Sequence, residues 1–186
     1  MSTRISVTAI AAVGMFSLAF GAAAAGGSLP KKDAKFMQEA AADGLAEVEL
    51  GKLAQQKAVH AEVQQFAARM VEDHTNANAE LKTIASQNGV ELPTAPDRRH
   101  AKLMEKLDKM VGGDFDREYM EHMVRDHKHD VKEFRREAKR KDDGPVKTFA
   151  ANTLPTLEEH LEMAEKTSDI ARAPKLAGDR EVGSKR

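Results

Sequence analysis

The sequence predicts an all-α protein built as a four-helix bundle. Three observations carry that expectation. The 186 residues include one tyrosine, no tryptophan and few β-branched residues, which disfavours a sheet. Alanine, leucine, glutamate and lysine dominate instead, and all are good helix formers. Four long stretches repeat apolar residues at the period of an amphipathic helix.

The chain opens with a segment of a different kind. Residues 1–25 have the pattern of a secretory signal peptide. Arg4 supplies the charge, Ile5 to Phe20 the apolar core, and Ala23, Ala24 and Ala25 a small-residue cleavage site before Gly26. The apolar run is short for a membrane span, so no transmembrane segment is expected in the mature chain. The absence of cysteine excludes disulfides, thiolate metal sites and a lipidated cysteine anchor. The expected compartment is the periplasm, with association at the outer membrane as the variant. Residues 26–168 then form one bundle domain, and residues 169–186, charged and broken by Pro174, Gly178 and Gly183, read as a disordered tail.

The first long helix is expected from about Asp33, as its N-cap, to Lys57. Phe36, Ala40, Glu47, Leu50 and Ala54 share one face, and Met37, Ala41, Leu45 and Val48 widen it. The second runs from about Val59 to Asn88 on Val63, Phe66, Met70, Ala77, Leu81 and Ile84. It stops at Asn88-Gly89 ahead of Pro93 and Pro96. The third starts near Asp114, with Phe115, Tyr119, Met123, Val131 and Phe134 facing inward. The fourth is announced by Asp143-Gly144-Pro145, with proline where the first turn tolerates it. Its stripe is Val146, Phe149, Ala150, Leu154, Leu157, Leu161 and Ala164, and Pro155 inside it should kink the helix and free a carbonyl.

Roughly 25 residues separate the second and third helices, far more than antiparallel neighbours need. They contain a short amphipathic segment, His100 to Met110. Such a connection can reach on the order of 50–60 Å, longer than a bundle of about 40 Å. A long crossover between the second and third helices, the ferritin-like connectivity, is therefore expected. Two short echoes agree with it. Val63-Gln-Gln-Phe-Ala-Ala matches Val146-Lys-Thr-Phe-Ala-Ala, and aligning Phe36 with Phe115 sets Glu47 opposite Asp126.

Histidines and carboxylates fall on or beside the apolar stripes. His127 lies near the centre of the third helix's face, between Met123 and Val131. His74 and Asp73 flank the centre of the second, and His160 stands one turn after Leu157 in the fourth. Counted from their connecting turns, Glu47 pairs in level with His74, and His127 with His160. Unsatisfied buried polar groups cost roughly 1–3 kcal/mol each, so such a cluster is mutually bonded, wet or bound to a cation. Glu47, His74, His127 and His160 are the candidate metal ligands, with Asp73 and Asp126 as further candidates. Zinc, copper, nickel or iron suits imidazole donors. Met70 and Met123, four residues before a histidine, read as core filler. The alternative is an interior polar bridge that sets helix register without metal.

Other features read as ordinary surface. Lys132, Arg135, Arg136, Lys139, Arg140 and Lys141 complement the C-terminal end of the third helix, interleaved with Glu133 and Glu137. His129 and Asp130 are expected to be exposed or intermediate. Without Arg4 the chain holds 28 basic against 30 acidic residues, so no long-range field favours nucleic acid. No phosphate loop, nucleophile elbow or zinc-protease motif is present.

Four phrases in order, Gly44 to Ala54, Phe66 to His74, Phe115 to His127 and Phe149 to Ala164, resemble the bacterial domain-of-unknown-function family 4142. The resemblance spans roughly Asp33 to Thr167. It implies a secreted, ferritin-like four-helix bundle and no established activity. Di-iron members of the ferritin-like class use Glu-x-x-His pairs on two helices. Here the positions three before His74 and His160 are Val71 and Leu157, which argues against di-metal oxidase chemistry. The expected function is binding, in envelope stress, by an exported bundle that is not an enzyme; the partner would be a second copy or an envelope component.

Overall fold

The computed structural model describes residues 29–173, which form five helices. They are α1 (Lys31–Lys57), α2 (Ala61–Gln87), α3 (Arg98–Asp108), α4 (Gly112–Ala138) and α5 (Pro145–Arg172). No strand occurs among the described residues. The expected signal peptide lies outside them, as does the tail from residue 174 onward.

Two antiparallel hairpins build the molecule. In the first, Gly44 of α1 approaches Asn78 of α2, while Gly51, nearer the turn, lies against Ala67 and Val71. Glycine is required at Gly51, where a Cβ would stand 2.8 Å from Val71 and 3.0 Å from the Ala67 carbonyl. In the second, Lys128–Glu165, Arg135–Glu158 and Arg172–Glu121 pair α4 with α5 at 2.9, 2.5 and 3.3 Å. Contacts of α2 with α5 and of α1 with α4 close the four long helices into a ring.

The start of α1 meets the end of α4. Phe36 and Phe134 pack edge to face with centroids 5.0 Å apart, and Arg140 reaches Asp33 at 2.6 Å. So α4 runs antiparallel to α1 and parallel to α2, and the α2–α4 connection must climb the length of the molecule. It does so along α1 and α4. Gln38 donates to the Glu91 carbonyl at one end, and Lys57 meets Asp108 and Lys106 meets Glu118 at the other. The connection thus runs from one end of the molecule to the other, and α3 lies within it.

Several boundaries differ from expectation for local reasons. Asp33 is not the cap of α1; the helix starts two residues earlier behind Pro30, and Asp33 is buried against Arg140. Arg140 is likewise no solvated end charge, since it also holds Glu137 and Asp142. The start of α2 shifts to Ala61 because Asp116 of α4 grips the turn before it. This fully buried carboxylate accepts from the backbone N–H groups of Val59 and His60, at 3.1 and 2.9 Å, and meets His60 Nδ1 at 2.7 Å. Gly89, at φ +66°, ends α2 as expected, with Val90 N–H on the Ala85 carbonyl. Helix α5 continues unbroken through Pro155 and runs to Arg172, past the expected start of a disordered tail. Thr167, Ser168 and Ala171 are buried there, so packing holds the last turns.

The core has two apolar clusters. Leu50, Phe66, Met70, Phe115, Tyr119 and Met123 anchor one; Phe36, Met37, Leu81, Phe134, Phe149 and Leu157 anchor the other. Between them every long helix contributes a polar residue: Glu47, His74, His127 and His160.

Replacing Asp116 with alanine strips the α1–α2 turn of its buried acceptor. The expected loss is about 1.5–3 kcal/mol, the range for hydrogen bonds to a charged group, read from urea unfolding.

Candidate metal centre

The three imidazoles expected from the sequence meet in the interior layer. Ring centroids stand 5.7 Å apart for His74–His127, 5.3 Å for His74–His160 and 5.4 Å for His127–His160. One ligand atom from each lies within 4.8 Å of those of the other two. Antiparallel hairpins produce this levelling. They bring residues equidistant from each turn side by side, and the ring of helices aims them at its axis.

Each imidazole has one nitrogen engaged and one turned inward. His127 Nδ1 donates to the Met123 carbonyl at 2.9 Å. His160 Nε2 donates to Asp73 Oδ2 at 2.8 Å, and His74 Nδ1 stands 2.7 Å from Glu47 Oε2. His127 Nε2, His160 Nδ1 and His74 Nε2 are buried without a hydrogen-bond partner, and so is Glu47 Oε1, 3.4 Å from His127 Nε2. A carbonyl or carboxylate behind each ring fixes the tautomer that leaves the inward lone pair free, the usual support of a metal-binding histidine.

Burial sets the charge of the cluster. It holds His74 and His160 near a pKa of about 4 and His127 near about 3, with the neighbouring imidazoles lowering His127 and His160 further. All three are neutral at pH 7, the form that ligates. Burial, then Asp126 and Asp43, pushes the Glu47 carboxyl well above its ordinary range. Tyr119 is fully buried beside this layer; burial, then Glu47, raises its phenol, and its hydroxyl has no partner.

The remaining candidates separate by role. Asp73, partly exposed, orients His160 and is itself bonded by Arg69; these bonds outweigh burial and hold its carboxyl below its usual value. It stands behind a ligand. Asp126 points away from the three rings, toward His100 and His122. Met70 and Met123 are buried in the core, and Met123 serves through its carbonyl. Asp130, expected at or near the surface, is buried; burial, then Glu47, raises its carboxyl well above the usual range. His129 is exposed as expected.

A cavity of about 1340 Å³ leads to this layer. Its lining runs from exposed Lys35 and Glu39, past Leu92 and Pro93 of the crossover, to Glu47 and His74. The cavity thus reaches the edge of the layer at two of its four residues.

His100 and His122 group with Asp126, and Asp43 and Asp97 group with His100, though none of these four is a candidate ligand from the sequence. Only one signal pointed to them: His122 and Asp126 are four apart on one helix, hence on one face.

Fold and site together define an all-helical protein with a histidine-rich polar layer across its core. The chain belongs to the family described as domain of unknown function (DUF4142), whose model matches residues 18–167. None of the curated proteins and none of the solved structures compared with the chain matches it.

The depressed histidines have a consequence for the metal-free protein. The unfolded chain takes up protons near pH 6.5 that the folded cluster refuses until about pH 4. Their contribution is therefore complete above pH 6.5 and is lost as pH falls through that window. Glu47 and Asp130, raised in the fold, act in the opposite sense, so the test is a difference between variants. Metal-free His127→Leu should match or exceed the wild type at pH 7. Its advantage should widen by up to about 1.4 kcal/mol per pH unit toward pH 4, read from urea midpoints.

Proposed function

We propose that this chain is an exported, ferritin-like four-helix bundle that binds one transition-metal ion between His74, His127 and His160. Its role is binding within the cell envelope, under metal or oxidative stress, and not catalysis. The observation that carries the reading is the set of three buried, unpartnered ring nitrogens on three helices, each ring backed by its own acceptor. The antiparallel hairpins and the end-to-end crossover support the ferritin-like assignment.

Three neutral imidazoles suit zinc, copper, nickel or iron(II). Glu47, beside His127 and His74 but outside the three-histidine group, would have to turn to complete a fourth position. Glu47 would bring a negative charge to the ion. Asp73 and the Met123 carbonyl would keep the rings aimed. An ion would enter from the cavity past the crossover, which reaches Glu47 and His74.

A rival reading is favoured by the raised Glu47 carboxyl. A protonated Glu47 can donate to His127, and one water can donate to His74 and His160. The layer would then be a metal-free polar network that fixes the register of the helices.

Zinc titration of tag-free protein separates the two. The metal reading expects His127→Leu to bind one zinc fewer per chain than the wild type. It expects Asp73→Asn to bind at this site with about 10–100-fold lower affinity. Chelator should lower the wild-type Tm and added zinc restore it. A His127→Leu protein with the wild type's zinc count and affinity would favour the polar network instead.

Export rests on residues 1–25 and has its own test. The protein recovered from the periplasmic fraction of expressing bacteria should begin at Gly26 by N-terminal sequencing. A chain retaining Met1 and confined to the cytoplasm would reject it.

A further inference from the structure

A second cluster lies on the other side of α1 and α4 from the three imidazoles, where α3 crosses them. His100 of α3 is fully buried, with its ring centroid 6.0 Å from that of His122 of α4. His122 Nε2 and His100 Nε2 converge on one atom, Asp126 Oδ2, at 3.2 and 3.6 Å. His122 Nε2 and Asp126 Oδ2 are buried and form no hydrogen bond, despite their approach. Three ligand atoms, one from each residue, lie within 4.8 Å of one another.

Two carboxylates stand near the far side of His100. Its Nδ1 stands 3.1 Å from Asp97 Oδ1 and 3.9 Å from Asp43 Oδ1. Asp97 is fixed in turn, because it caps α3 by accepting from the His100 backbone N–H at 2.9 Å. Arg99 lies 3.4 Å from Asp43 Oδ1 and offsets part of its charge. His100 Nδ1 forms no hydrogen bond to either carboxylate, but their nearness favours the proton on Nδ1 and the lone pair on Nε2, where Arg99 now stands 3.5 Å away and would have to turn aside for a cation.

We infer that His100, His122 and Asp126 form a second cation site, distinct from the three-histidine layer, for a divalent first-row metal ion. Two imidazoles and one carboxylate present one negative charge and leave coordination positions open. That donor set accepts a harder ion than three imidazoles do, so iron(II), manganese(II) or zinc fits it. His122 and Asp126 come from one face of α4, and α3 brings the third ligand across. The crossover would then be tied to the bundle by the ion as well as by the apolar contact of Leu107.

The competing arrangement is a protonated His100 held between Asp97 and Asp126, with no metal. It uses the same atoms and differs in whether a proton or a cation satisfies them.

Cobalt(II) binding to tag-free protein, followed by equilibrium dialysis and visible absorption, separates them. His127→Leu, which removes the first site, should still bind one cobalt per chain. His127→Leu with His122→Gln should bind none. Asp126→Asn, which keeps shape and removes the charge, should by itself cost one equivalent relative to the wild type. A folded His127→Leu protein that binds no cobalt would overturn the second site and leave the first standing. So would ring-nitrogen NMR showing His100 as imidazolium at pH 7 and unmoved by cobalt. Loss of one equivalent in Asp126→Asn with none lost in His127→Leu would sustain this site and reject the first.

Discussion

The structure depends on one constraint: a polar layer has to be satisfied in the middle of an apolar core. Each long helix passes from one apolar cluster to the other through a buried ionisable residue, Glu47, His74, His127 or His160, and α4 adds Asp130. An unsatisfied buried polar atom costs about 1–3 kcal/mol, and this layer holds four of them. Together they are comparable to the net stability of a small domain, about 5–15 kcal/mol. Only an arrangement with all four helices in register lets one central species answer all four atoms. The layer therefore specifies the level at which the hairpins meet, which leucines and phenylalanines alone would leave free to slide.

Water alone is a poor answer to that constraint. Three ring nitrogens accept and cannot donate inward, because each has its proton committed to a carbonyl or carboxylate behind it. One water has two protons to give, so a proton on Glu47 must supply the third bond. A cation asks for no such assistance and prefers Glu47 ionised. Both solutions keep the histidines neutral, as burial already demands. They differ in the charge of Glu47 and in what occupies the centre.

Much of this was legible in the sequence. Apolar periodicity located the four long helices, and the second connection is long enough for a crossover. Counting from the turns put Glu47 level with His74 and His127 level with His160, as their contacts bear out. Where the reading failed, a residue took its role from another element. Asp33 looks like a cap until Arg140 arrives from the end of α4. Asp130 has the polarity of a surface residue, and only the packing of its neighbours buries it. His100 sits in a crossover segment whose docking face has no counterpart in local periodicity. Its meeting with His122 is invisible until the chain has turned three times.

Adjacent positions on α4 show how two clusters arise in one interior. Asp126 and His127 are consecutive, so their side chains leave the helix about 100° apart. His127 faces the axis of the ring and Asp126 faces the seam covered by α3. Among the described residues, no carboxylate lies within 4 Å of ring nitrogens of both clusters; Glu47 belongs to the first and Asp126 to the second. A carboxylate-bridged two-metal centre needs a shared carboxylate to hold its ions together. Their charges still communicate, since Asp126 and Asp43 help raise the Glu47 carboxyl. Two cations here would act as separate sites coupled through the field: one bound at Asp126 would lower the Glu47 carboxyl and so favour its ionised form at the first. The coupling would be electrostatic and reciprocal: whatever one ion does to the affinity of the other site, the second does equally to the first.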